Sequence, residues 1–238
     1  MAKLRVQQIL SKAGLFNDKR ELIEALNAGK IKVSNEIVRD PEFRVDPKRK
    51  HVYYNDEMIR MGRRLYFLFY KPKRWNCQKS QKKSVYNLID QLNVEGKKSL
   101  FIVGRLDVDS SGLMIVTNDG SLSHKILSPN SRIRKVYKVT IDREISDKDL
   151  NKLRSGVVID LDDRKYRTKP CIVKKIDENI FVTIIEGKKR QIRRMFGALG
   201  YKVKELKRIA IGTLSLKGMR KKEFIQVSRG EIYSKIFR

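Results

Sequence analysis

The sequence predicts an α+β protein in two parts. A small part of two helices and short strands spans residues 1–62, and a larger part with a mostly antiparallel sheet flanked by helices spans 63–238. The first supporting observation is a change of texture: two helical periodicities and brief strand patterns give way after Arg64 to longer apolar and aromatic strand runs. The second is a change of charge. Residues 1–62 hold 13 Lys/Arg and 9 Asp/Glu, whereas the remainder holds 42 and 18.

In the small part, Val6, Ile9, Leu10 and Ala13 fall at helical spacing, and Gly14 follows as a C-cap. Asn17 or Asp18 can cap a second helix carrying Leu22, Ile23, Ala25 and Leu26, which Gly29 stops. Ile31 and Val33 alternate with polar residues up to a Ser34-Asn35 turn, Val38 resumes the extended pattern, and His51–Tyr54 is a further short strand. The unit ends near Met61-Gly62. In the larger part, strands are expected at 65–70, 101–103, 113–117, 136–141, 171–176 and 181–185. Helices are expected at 85–92 and 121–127, from Ser146 to Ser155-Gly156 with Asp149 in the capping position, and at 191–199.

The net charge of +28 in 238 residues repels itself in a compact chain, so a polyanionic partner, nucleic acid or ribonucleoprotein, is expected. Cys77 and Cys171 stand alone without a CxxC, and His51 and His124 are equally isolated. No metal site is expected, and two lone cysteines suit a reducing cytoplasm. The N-terminus lacks an apolar signal core and no apolar run approaches about 18 residues, so no membrane partner is expected. Neither GxGxxG nor GxxxxGK[ST] occurs, and no cofactor is expected.

Arg5 with its following helix, the Gly14 turn, Lys19-Arg20 opening the second helix, and Gly29-Lys30-Ile31-Lys32-Val33 together resemble the S4-type RNA-binding domain. The resemblance implies RNA-backbone contacts from Arg5, Lys19, Arg20, Lys30 and Lys32. An ordinary helical hairpin with surface charges would show much the same pattern.

Gly104–Leu113 is a polar, glycine-bounded loop between two apolar strands. By pattern it is either a rigid mount for an exposed carboxylate or a hairpin loop whose aspartates accept backbone hydrogen bonds. The longer segment GRLDVDSSGLMIVTNDG resembles the signature loop of the pseudouridine synthases related to the ribosomal small-subunit enzyme and its large-subunit relatives. In order along the chain, Lys71-Pro72, Arg134–Val139, Glu186–Phe196 and Leu206–Gly212 resemble further motifs of that family. The chain departs from the family after Lys71-Pro72, where Lys73-Arg74-Trp75-Asn76 stands in place of an early glycine. Trp75 there is either a base-stacking or a packing residue.

That resemblance implies an isomerase that breaks the N1–C1′ bond of a chosen uridine and rejoins C5 to C1′. It implies Asp107 as the catalytic carboxylate, Arg193 as its guanidinium partner and Tyr137 as the active-site tyrosine. Arg105, Lys71 and Leu206 would contact the substrate. Lys188, Lys189, Arg190 and Arg194 would bind RNA phosphates, with the 164–167 and 220–222 basic runs beside them. The expected partner is ribosomal RNA or a pre-ribosomal particle, large-subunit RNA before small-subunit RNA or tRNA, acted on by a monomer. A catalytically silent assembly factor is the other class of reading.

Overall fold

The computed structural model describes residues 3–16, 19–60, 62–79, 81–162 and 164–237; the Asn17/Asp18 cap and Met61 lie outside the described residues. The chain divides into two units, one of Met1–Leu65 with Leu88–Phe101 and one of Tyr66–Asn87 with Ile102–Arg238.

The first unit contains β1 (Leu4–Arg5), α1 (Val6–Ala13), α2 (Lys19–Asn27), β2 (Ile31–Val33), β3 (Glu36–Ile37), β4 (Arg44–Val45), β5 (Val52–Tyr54) and β6 (Glu57–Met58). Val6, Ile9 and Leu10 of α1 are buried, as their spacing requires, and Gly14 ends the helix in a left-handed conformation with its N–H donated to the Ser11 carbonyl. The apolar stripe of α2, Leu22, Ala25 and Leu26, packs with Ile31, Val33 and Val52 in one core. Burying each of the larger side chains stabilises the unit by roughly 1.5–3 kcal/mol. The small sheet runs β3-β2-β5-β6, and β1 pairs separately with β4.

Further along the chain come β7 (Tyr66–Lys71), α3 (Val85–Asp90), β8 (Phe101–Ile102), β9 (Ser111–Thr117), α4 (Gly120–Leu127), β10 (Lys135–Ile141), α5 (Asp147–Ser155), β11 (Val158–Asp160) and β12 (Lys165–Arg167). They are followed by β13 (Ile172–Ile176), β14 (Asn179–Ile184), α6 (Gln191–Gly197), β15 (Val203–Ile211), β16 (Leu214–Ser215), β17 (Phe224–Gln226) and α7 (Arg229–Phe237). Ser146 caps α5 by accepting from the Asp149 N–H, so the capping residue is the serine and Asp149 lies in the first turn.

Among the described residues, nine strands form one sheet ordered β13-β14-β10-β15-β9-β7-β17, with β16 on β15 and β8 on β9. The neighbours β13–β14, β14–β10, β10–β15, β9–β7 and β7–β17 are antiparallel, whereas β9 and β15 run parallel. That parallel contact depends on Gly112, which has φ 126° and sits opposite Arg208. A Cβ at this position would lie 2.2 Å from the Arg208 carbonyl oxygen, so any side chain would force the strands apart. The approach brings the loop before β9 beside β15, where the two strands build the site.

Candidate active site

The loop from Leu106 to Ser110 is held at every carbonyl. The Cys77 thiol donates to the Leu106 oxygen at 3.3 Å, and the Arg74 N–H donates to that of Val108 at 2.7 Å. Arg193 Nη2 donates to the Asp109 oxygen at 3.1 Å. Lys71 Nζ donates to the carbonyls of Asp107 at 3.0 Å, Ser110 at 2.7 Å and Pro72 at 3.2 Å. A loop secured in this way presents its side chains with little freedom, the condition for positioning a reactive carboxylate.

This geometry corrects the expected role of Lys71. Its side chain is fully buried and directed at backbone oxygens, which gives it a supporting role under the Asp107 loop. Desolvation drives its ammonium below the usual lysine value, against the raising influence of Cys77, Asp107 and Asp109.

Beside the loop, one face of the β10–β15 pair lines a cavity of about 440 Å³. The antiparallel register sets Tyr137 opposite Arg208, Val139 opposite Leu206 and Lys135 opposite Ile211. Directly opposed residues share a face. Lys135, Tyr137, Leu206, Arg208 and Ile211 accordingly all line the cavity, along with Arg105 and Asp107 from the loop. Tyr137 and Leu206 are buried, Arg105 is exposed, and the Asp107 side chain is about one-third exposed (35%).

The acid–arginine arrangement differs from the expected Asp107–Arg193 pair. Arg193 Nε lies 3.2 Å from the Asp109 carboxylate, and its Nη1 donates to the Val203 carbonyl at 2.9 Å. Arg190 forms a two-point contact with Asp109 at 3.2 and 3.0 Å and is also the guanidinium nearest Asp107, at 3.8 Å. Arg190 was expected at RNA phosphate. It occupies the left-handed N-cap of α6, with φ 53°, a costly conformation for a side-chain-bearing residue that turns it toward the acidic loop. Asp109 bridges the two arginines. Burial pushes its carboxyl upward, but the Arg190 hydrogen bonds and the charges of Arg193 and Arg190 outweigh this and leave it below the ordinary value. Burial lowers the Arg193 guanidinium, partly opposed by Asp109. Asp109 escaped the sequence reading although it lies two residues from Asp107 in the same motif. The register of an irregular loop gives no sign of which acid faces which base.

The remaining expected RNA contacts divide by environment. Lys189 and Arg194 both pair with Asp162, at 2.6 and 2.7 Å, and Arg194 also reaches the Asp160 carbonyl. Lys188 lies 5.0 Å from the Tyr166 ring centroid at the cavity wall. The Tyr166 hydroxyl donates to Glu186 at 2.6 Å, a bond that pushes its pKa up to about 12. In the first unit Lys19, Arg20 and Lys30 are exposed, while Arg5 pairs with Glu42 and Lys32 with Asp56. Trp75 is half-buried, with Lys222 and Lys83 at 5.1 and 5.7 Å from its ring centroid.

A tyrosine and a leucine thus wall a cavity beside a loop-mounted carboxylate and clustered guanidiniums, and similarity to known proteins places the chain among RNA-modifying enzymes. The chain belongs to the RNA pseudouridylate synthase family, whose model matches residues 65–198, and it carries an S4 domain at residues 4–51. An uncharacterized RNA pseudouridine synthase of Aquifex aeolicus is 31% identical over 98% of this chain and 93% of its own length. The ribosomal small subunit pseudouridine synthase A of Vibrio parahaemolyticus is 32% identical over 83% of this chain and 84% of its own. A solved structure described as a pseudouridylate synthase superposes with a TM-score of 0.69 at 29% identity, covering 98% of this chain and 99% of that one. No helix among the described residues is long and apolar enough to cross a membrane.

Proposed function

We propose that the chain isomerises a uridine of ribosomal RNA with Asp107 as the catalytic carboxylate. The supporting observation is the position of that group: partly exposed on a fully secured loop, lining a cavity with Tyr137 and Leu206, 3.8 Å from a permanent guanidinium. The target nucleotide must leave its stack to enter, at a cost of a few kcal/mol that is smallest where the RNA is unpaired. Leu206 packs on the base. Asp107, beside the Arg190 guanidinium, faces the sugar, and the Tyr137 hydroxyl helps remove the C5 proton after the new bond forms. Arg105 contacts the substrate from the exposed side of the loop. Rim cations and those of the first unit hold phosphates, giving affinity and salt dependence without sequence choice.

The deciding assay is tritium release from C5 of uridine in cognate RNA. Asp107→Asn is expected to lower the rate by at least about a hundredfold. Equal signals from wild type and variant would end the assignment.

Large-subunit RNA is the target favoured by the resemblance of an S4-bearing chain. Small-subunit RNA is the second reading, supported by the two Vibrio relatives that carry small-subunit names. Carbodiimide sequencing of ribosomal RNA with and without the gene identifies the uridine: a lost modification in 23S-type RNA supports the first reading, and one in 16S-type RNA the second.

A further inference from the structure

We propose that Arg208 and Lys135 are catalytic residues of this cavity, a cationic floor for the uracil ring in the anionic form it takes once its N1–C1′ bond has broken. The inference rests on the reading of the cavity as the uridine site.

Arg208 is 4% exposed. Its Nε donates to the Leu113 carbonyl at 2.7 Å, which fixes the guanidinium plane, but its buried Nη2 has no acceptor. A native fold rarely strands a charged donor in its interior, and where one is stranded a ligand is a natural acceptor. Lys135 lines the same cavity from the neighbouring strand, and its Nζ donates to the Ile133 carbonyl at 3.3 Å. No ion pair joins either residue to a carboxylate among the described residues. Burial drives the Lys135 ammonium down from its usual value, and the nearby charge of Arg208 adds to the effect.

The two acids that line the cavity do not relieve this excess. Asp107 faces Arg190, and Glu186 is occupied by the Tyr166 hydroxyl at 2.6 Å, Gln191 at 2.7 Å and the Lys169 N–H at 3.0 Å. The floor therefore lacks negative charge that the ligand can bring. A phosphate is the wrong bearer, because Arg208 and Lys135 share their face with Tyr137, Leu206 and Ile211, a wall suited to a flat ring. Phosphate finds hydrated cations at the rim, where Lys188 and Lys189 are exposed.

Pseudouridine formation creates such a ring. When the N1–C1′ bond breaks, its electron pair remains with uracil and spreads over N1, O2 and O4. The positive charge left at C1′ faces the Asp107 carboxylate. C5 then attacks C1′ with an electron pair from the anion, the C5 proton departs to a base, and N1 takes up a proton. No oxidant, reductant or donor is required. Fixed cations near O2 or O4 lower the barrier because they act on charge that is absent from the bound uridine and develops only as the bond breaks.

The test uses the full chain, its cognate RNA and the same RNA carrying 5-fluorouridine at the target. The electron-withdrawing fluorine makes the ring a better anionic leaving group. Single-turnover cleavage is followed on both substrates by loss of the N-linked target nucleoside, since a fluorinated C5 has no proton to release, and RNA affinity by fluorescence anisotropy. On uridine, Arg208→Met is expected to lose about a hundredfold or more in rate and Lys135→Met about tenfold, with Kd within about threefold of wild type. On 5-fluorouridine both deficits are expected to shrink by roughly tenfold. Deficits equal on the two substrates, wild-type rates, or a loss confined to Kd would overturn the proposal. If Arg208→Met fails to fold, Lys135→Met carries the same comparison alone. Asp107→Asn separates the two levels: if it stays active, the site itself is misassigned, whereas if it is dead and both floor variants are normal, only this inference falls.

Discussion

Lys71 and Arg208 in the second unit aim their charges at backbone carbonyls, and Arg193 divides its own between two carbonyls and the Asp109 carboxylate, while Arg5 and Lys32 in the first unit meet carboxylates at the surface, at 2.9 and 2.6 Å. These are the same side-chain types in opposite environments. A surface pair contributes about 0–1 kcal/mol and exchanges readily with another anion, so Glu42 and Asp56 can give way to phosphate. A buried cation has lost its water and cannot change partners without taking a donor from a buried carbonyl. Lys71 and Arg193 therefore hold geometry, and the surface cations are available for binding. Their substitutions should separate accordingly, interior changes acting on rate and stability and surface changes on affinity.

The widest separation is expected at Lys71. Lys71→Met removes the donor shared by the Asp107 and Ser110 carbonyls and leaves buried oxygens unsatisfied, a loss on the order of 3 kcal/mol. Thermal unfolding should reveal the lower stability, and C5 tritium release should fall with it because the Asp107 loop loses its support. A variant as stable and active as wild type would place Lys71 with the replaceable cations.

Arg193→Lys is expected to have the next largest effect. An ammonium can keep one of the three partners, the Asp109 carboxylate, the Asp109 carbonyl or the Val203 carbonyl, but not the planar fork that reaches all three. Conversion should fall by roughly ten- to a hundredfold with RNA Kd nearly unchanged. A shift in Kd alone would mean that Arg193 meets phosphate.

How much of this was legible in the sequence follows the same division. The α1 stripe of Val6, Ile9 and Leu10, the Gly14 cap and the apolar run of β7 are local patterns, and they appear where periodicity puts them. The resemblance that picks out Asp107 is equally local. The sheet partners of Leu206 and Arg208 are another matter: β15 alternates irregularly, and its parallel contact with β9 depends on Gly112 meeting a strand almost a hundred residues away. The β11–β12 hairpin and α7 likewise carry too many charges to stand out as strand or helix from pattern alone. Burial was the least accessible property. Lys71, Arg208 and Lys19 are all basic residues in a sequence of charge +28, and nothing local separates the one that faces water from the two that face carbonyls.

A smaller effect is expected from surface cations in the first unit. Lys19→Ala with Lys30→Ala should weaken RNA binding and flatten the slope of log K against log salt by roughly one for each phosphate no longer neutralised. The rate at saturating RNA should be unchanged. An unaltered salt slope would remove these two residues from the interface, and a lower saturated rate would mean that the first unit takes part in the chemistry.

Arg74 tests the division within a single residue. Its N–H helps hold the Asp107 loop through the Val108 carbonyl, while its side chain is exposed and its backbone sits at φ 66°, in the turn where the resemblance to the family implies an early glycine. Left-handed backbone costs a side-chain-bearing residue roughly 1–2 kcal/mol, and glycine returns about 0.5–1 kcal/mol of that through its extra unfolded-state freedom. Arg74→Gly should therefore stabilise the chain by at most about 1.5 kcal/mol, a rise in Tm of at most roughly 3–6 °C at this size. The N–H survives the change, so the loop and the rate constant at saturation should survive with it. If that rate falls while Tm rises, the exposed guanidinium itself reaches the RNA near the reacting nucleotide, and the departure from the family pattern at this turn exchanges stability for a contact.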